Sequence, residues 1–136
     1  MKAKILTALA ALALAAPAFA GDVTNGEKEF KKCKSCHMIV ADDGTEIVKG
    51  GKTGPNLYGV VGRAAGSVAD FAYSDAMKGM GATGLVWDEA LLAEYVADPT
   101  AFIDSHGGEG KSKMTFNLKK EDDRHDVIAY LKTFSN

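Results

Sequence analysis

Apolar residues fall along this chain in helical rather than alternating order. The clearest stripe runs from Trp87 to Ala97, where Leu91, Leu92, Tyr95 and Val96 share one face and Pro99 marks the end. Val127, Tyr130, Leu131 and Phe134 form a second stripe, which predicts a helix from Glu121 to Phe134. Near the start, Thr24-Asn25-Gly26-Glu27 has capping-box form with Thr24 as N-cap, so a helix is expected from about Asn25 to Cys36. Ser74 to Lys78 reads as a short helix stopped by Gly79. Residues 41–66 are rich in glycine and contain Pro55, and they read as irregular loop. No segment alternates convincingly and none repeats. The expected class is all-α, and most residues of the two stripes need no role beyond packing.

The first residues follow a different pattern. Lys2 and Lys4 precede an apolar run from Ile5 to Ala16, and Ala18-Phe19-Ala20 fits a small-x-small cleavage site. Residues 1–20 are therefore expected to be a cleaved signal peptide, leaving 21–136 as a single domain exported to the periplasm. The run is shorter than the roughly 20 residues that span a bilayer. Sixteen basic against eighteen acidic residues give a formal charge of −2, which argues against nucleic-acid binding.

Export bears on the cysteines, because thiols in an oxidising compartment either pair or are consumed by another reaction. Both cysteines of the chain lie in "KKCKSCHMIV", three apart, with His37 directly after the second. A disulfide between such close neighbours would constrain the unfolded chain little. A redox dithiol is expected beside a β-α-β pattern, which is missing here. A zinc site needs about four ligands, and no second ligand pair stands at finger spacing. Covalent haem attachment uses all three residues: Cys33 and Cys36 for thioethers to two vinyl groups, His37 for the iron. It also answers a packing problem. Three modest helices joined by long loops make a thin core, which a large buried cofactor would complete.

The iron then needs a sixth ligand or an open site. Met38 adjoins His37 and cannot reach the opposite face. Met77 and Met80, beside Gly79 and Gly81, read as gap-filling methionines. His125 falls among charged residues and is expected to face solvent, and His106 lies in the flexible-looking "SHGGEG". Met114, in "GKSKMTF", stands slightly ahead on position alone.

The stretches "GDVTNGEKEFKKCKSCH", "KTGPNLYGVVGR", "FAYSDAMK", "WDEALLAEYVADPTAFI", "KSKMTF" and "DVIAYLK" resemble, in order, the class I c-type cytochromes, bacterial cytochrome c2 and mitochondrial cytochrome c among them. The resemblance implies a small c-type cytochrome fold, helices and long loops wrapped round one covalent haem c. It implies His37 and Met114 as the two iron ligands. It further implies that the Pro55 carbonyl accepts a hydrogen bond from the His37 ring and that Arg63, Tyr73, Ser74 and Trp87 surround the propionates. Tyr95 would lie near the Met114 sulfur, and Gly26 and Phe30 would pack on Val127 and Tyr130. Two departures stand out: longer loops at 38–52 and 104–111, and Met77 where the mitochondrial pattern has Asn.

Two axial ligands leave no place for substrate, so the expected function is one-electron transfer by a monomer rather than enzymatic catalysis. By the same resemblance the donor is a quinol-oxidising cytochrome complex, and the acceptor a photosynthetic reaction centre or terminal oxidase. Lys28, Lys31, Lys32 and Lys34 crowd the attachment motif, and Lys111, Lys113, Lys119 and Lys120 flank Met114. Residues 70–109 hold eight acids against the single base Lys78, which suggests a basic front, docking transiently on membrane redox complexes, and an acidic back. The alternative is a ligand-binding or peroxidase-like haem protein with an open sixth site.

Overall fold

Asp22, rather than Thr24, opens the first helix. Its carboxylate accepts from Asn25 N at 3.1 Å, so α1 spans Val23–Phe30 and Thr24 lies inside its first turn. The computed structural model describes residues 21–135, and the expected signal peptide lies outside them. After Phe30 the chain continues in tight turns to the cysteines, with Cys33 N bonded to Phe30 O at 2.8 Å and His37 N to Cys33 O at 2.9 Å. The helix expected to reach Cys36 instead ends at Phe30, and residues 31–36 are a run of turns.

Within the span read as irregular loop, Glu46–Val48 forms a short strand, β2, antiparallel to β1 at Ile39–Val40. Strands of two and three residues are too short to show alternation. The turn between them is built by Asp43, whose carboxylate accepts from Thr45 N at 2.9 Å, and by Gly44 at φ +88°.

Helix α2, Asp75–Ala82, is capped by Ser74 Oγ on Met77 N at 3.1 Å and runs straight through Gly79. Glycine costs a helix about 1 kcal/mol but does not stop it. Gly81 is needed where it is, because a Cβ there would strike the Ala65 carbonyl. The turn comes at Gly84, φ +86°.

Helix α3 spans Glu89–Ala97 behind an Asp88 cap. Pro99 ends it as expected, but also begins α4, Pro99–Ser105, a helix that the hydrophobic pattern does not predict. Proline has no N–H to lose at a first helical position, and Asp98 caps the new helix by accepting from Ala101 N at 3.1 Å. The final helix, α5, is Glu121–Lys132.

Helices α1 and α5 cross at Gly26, which is buried. A Cβ on Gly26 would run into the Asp126 carbonyl and lie 2.8 Å from Tyr130 Cβ. Phe30 meets Tyr130 beside the crossing, ring centroids 5.7 Å apart. Asp126 ties the same end down, accepting from Asp22 N at 2.7 Å and from Asn25 Nδ2 at 2.6 Å. Lys132 pairs with Glu89 and so links α5 to α3. Across α3 and α4, Trp87, Tyr95 and Phe102 form a ring cluster with centroids 5.1 to 5.5 Å apart. Each such pair contributes about 0.5–1.5 kcal/mol beyond its buried area.

Candidate haem site

The turn that carries Cys33, Cys36 and His37 is gripped by the segment after β2. Gly51 N donates to Lys34 O at 2.9 Å, Gly54 N to Cys36 O at 2.8 Å and Leu57 N to Met38 O at 3.0 Å. This second chain lies so close that Gly50, Gly51 and Gly54 have no room for a side chain; a Cβ at Gly54 would press into the His37 ring. Asn56 completes the grip, accepting from Val40 N at 3.0 Å and donating to Val40 O at 2.8 Å.

His37 is thereby fixed in one orientation. Its Nδ1 lies 2.8 Å from the Pro55 carbonyl oxygen. A carbonyl only accepts, so Nδ1 carries the proton and Nε2 keeps a free lone pair. Burial pushes the imidazole below its ordinary pKa, the Pro55 bond partly opposes this, and the Arg63 charge adds to the lowering. His37 is therefore neutral at pH 7, the form that ligates a metal. Cys33 is turned partly into the core and Cys36 is exposed, and neither is in a disulfide. Burial, with the Glu29 carboxylate as the next contribution, pushes the Cys33 thiol up to about 11.

Of the four residues expected near propionates, Arg63 and Trp87 are joined through their backbones. Trp87 N donates to Arg63 O at 2.9 Å, and Ala64 and Val86 pair as an isolated antiparallel bridge. Arg63 Nη1 donates to Asn56 O and Tyr58 O at 3.0 and 3.1 Å, while its Nε is buried with no partner. Tyr73 accepts from Val68 N through its hydroxyl at 3.0 Å, and burial pushes the Arg63 guanidinium below its ordinary pKa. The Ser74 hydroxyl serves as the α2 cap.

Met114 is half-buried on a strap pinned at both ends to α3 and its neighbour. Ahead of it, Ser112 Oγ accepts from Met114 N at 3.0 Å and sits 3.3 Å from the Tyr95 hydroxyl. Beyond it, Leu118 N donates to Val96 O at 2.8 Å. Tyr95 thus reaches Met114 through Ser112, and burial raises its pKa while the Ser112 bond opposes that rise. Of the other candidates, Met80 is fully buried in the core. His106 is not loosely held: it ends α4 with its ring stacked on Phe102 at 3.8 Å, Nδ1 2.9 Å from Phe102 O and Nε2 3.7 Å from Glu94 Oε2. His125 is half-buried rather than solvent-facing, its Nε2 3.9 Å from Glu121 Oε1 and its carbonyl packed on Gly21.

This chain matches the cytochrome c family model over residues 23–135. It belongs to the cytochrome c family. It is 56% identical to cytochrome c2 of Rhodobacter capsulatus over 90% of each chain. With cytochrome c-550 of Paracoccus versutus it shares 53% identity, over 96% of this chain and 88% of the relative. Among solved structures, cytochrome c2 from Rhodobacter sphaeroides superposes with a TM-score of 0.81 at 52% identity, covering 85% of this chain and 98% of that one. Membership makes the protein an electron carrier rather than an enzyme and gives it one covalent haem c with its iron, in keeping with the Cys33-Lys34-Ser35-Cys36-His37 motif.

The residues present fit that group. The buried Arg63 Nε is an unused donor. His37 offers a free, neutral Nε2. Leu57, Met77, Leu91, Val96 and Met114 are apolar side chains left only partly covered at the edge of the core, as expected of a surface a flat apolar ring would complete. Sequence reading missed Asn56, Gly54 and Ser112 as supports. Asn56 and Gly54 lie inside the quoted "KTGPNLYGVVGR", but nothing local marks one polar residue there as a clamp.

Proposed function

We propose that the protein is a periplasmic one-electron carrier whose haem is held by thioethers from Cys33 and Cys36 and ligated by His37 and Met114. The single observation that carries this reading is the fixed, neutral His37 ring with Nε2 free, directly after the cysteine pair. When bound, the haem supplies an iron that passes between ferric and ferrous states. His37 donates one nitrogen and Met114 a soft thioether, which favours the ferrous form. The Pro55 carbonyl holds the His37 tautomer, and Tyr95 with Ser112 holds the strap that bears Met114. Arg63, Trp87, Tyr73 and Ser74 would hold the propionates, the Arg63 Nε being free to donate to a carboxylate. With His37 and Met114 both braced by the fold, the residues that would hold the iron would rearrange little on electron gain or loss.

Docking falls to the lysines. Lys28, Lys31, Lys32, Lys34, Lys111, Lys113, Lys119 and Lys120 are all exposed. Lys32, Lys119 and Lys120 line one open groove of about 450 Å³, which joins the attachment end of α1 to the segment after Met114. Within it, Lys32 bonds to Glu29 at 2.6 Å, and Asp123 also lines the wall, so the front is basic but not uniform. On the acidic side, Asp88 and Asp98 cap helices, while Asp70, Asp75, Glu94, Asp104 and Glu109 are exposed. The partners are membrane redox complexes: a quinol-oxidising complex as donor, a reaction centre or oxidase as acceptor. Carbon monoxide added to the reduced protein at neutral pH tests the closed site. No spectral change is expected, and rapid complex formation would make this an open-site ligand binder.

A further inference from the structure

Thr100 is the second residue of α4 and lies twelve residues before Ser112. Its hydroxyl accepts from Ser112 N at 3.1 Å. Ser112 is the buried polar residue of the described chain, at 9% exposure, and its own hydroxyl accepts from Met114 N. Hydrogen bonds therefore run without a break from the first turn of α4 to the backbone of Met114.

Besides the Tyr95 hydroxyl, which meets Ser112 Oγ at 3.3 Å, this approach has few supports. Between α4 and Ser112 the chain passes Gly107 at φ +79°, Gly108 and Gly110 at φ +97°, three residues of the greatest backbone freedom. Gly108 N is held to Ile103 O at 2.9 Å, but residues 109–111 are exposed and Lys111 leads directly into the buried Ser112. Thr100 holds the backbone of Ser112, and Tyr95 its side chain, where this glycine-rich excursion enters the strap. Pro99 and the Asp98 cap hold α4's first turn rigid, so the Thr100 hydroxyl has a set position.

We infer that Thr100 is a positioning residue for Met114, acting through Ser112. This rests on Met114 being the sulfur ligand. Loss of the hydroxyl leaves the buried Ser112 N–H without its acceptor and frees the strap's entry, so Met114 yields its place to competing ligands more readily.

The test uses the ferric holoprotein with imidazole as competing ligand, read by loss of the weak far-red sulfur–iron absorption band. Thr100→Val, nearly isosteric, is expected to raise imidazole affinity about tenfold, in line with one buried donor left unpaired. Thr100→Ser, which keeps the hydroxyl, is expected to restore the native value. An unchanged affinity in Thr100→Val would overturn the assignment, and so would equal rises in both variants, which would mean that the methyl's packing matters instead. Should Thr100→Val fail to fold, amide hydrogen exchange on the native protein decides. Ser112 N–H is expected to be protected, and exchange at the rate of an open loop amide refutes the contact. A far-red band that survives in Met114→Ala would remove the ligand reading and this inference together, whereas a band lost there but indifferent to Thr100 removes only the inference.

Discussion

Arg124 Nη1 donates to the carbonyl of Leu118 at 2.8 Å, and to that of Lys119 at 2.7 Å. The guanidinium on α5 thus holds the far end of the Met114 strap, opposite the end that Ser112 holds. Arg124→Ala leaves two carbonyls without this donor. Urea unfolding is expected to show a loss of about 1–3 kcal/mol, with Arg124→Lys recovering only part of it, since its flexible stem does not hold the ammonium where the rigid guanidinium sets Nη1. No loss in Arg124→Ala would mean that water replaces the clamp.

Gly26 permits the crossing of α1 and α5. Gly26→Ala adds one methyl where the Asp126 carbonyl already stands, and the helices must part. A destabilisation of about 1–3 kcal/mol is expected, even though alanine is the better helix former by about 1 kcal/mol. A variant at least as stable as native would show that the crossing can shift freely.

Tyr95 gives the strap a pH dependence. Its pKa is raised in the fold, chiefly by burial. A group whose folded pKa is raised contributes stability that is complete below its unfolded value, about 10 for tyrosine, and is lost as pH climbs through the folded value. Native stability should therefore fall relative to Tyr95→Phe only above about pH 10. Denaturant midpoints of the two proteins from pH 7 upward check this, and parallel curves throughout would contradict it.

The exposed lysines predict how the carrier meets its partners. Association with an acidic redox partner should slow as salt rises, by about tenfold between low and high ionic strength, and Lys119→Glu with Lys120→Glu should reduce the low-salt rate and flatten the dependence. Stopped-flow rates that stay flat or rise with salt would remove the basic front from the account.

Cys33, Cys36 and His37 stand out in the sequence because covalent haem attachment is confined to one short motif. The α3 and α5 stripes were legible for a related reason: periodicity survives in one dimension. Helix α4 was not, since Pro99 signals both an end and a beginning and only the Asp98 side chain decides. Likewise Gly79 reads as a stop in isolation, whereas α2 continues because its caps lie at Ser74 and Thr83. The supports of the site were the least visible. Asn56, Ser112 and Thr100 act across 16, 17 and 12 residues of chain, and only the fold brings their partners within bonding distance. His106 shows the same limit, since its glycine-rich surroundings suggested freedom while Phe102 and Glu94, from two helices, hold the ring.

If His37 and Met114 both hold the iron, a sulfur–iron bond must be present in the ferric protein. The most direct measurement is the absorption spectrum of the ferric protein at neutral pH, in the far red, beside that of Met114→Ala. A weak sulfur–iron charge-transfer band is expected in the native protein and none in the variant. A native spectrum without the band, or a variant that keeps it, would contradict the assignment of Met114.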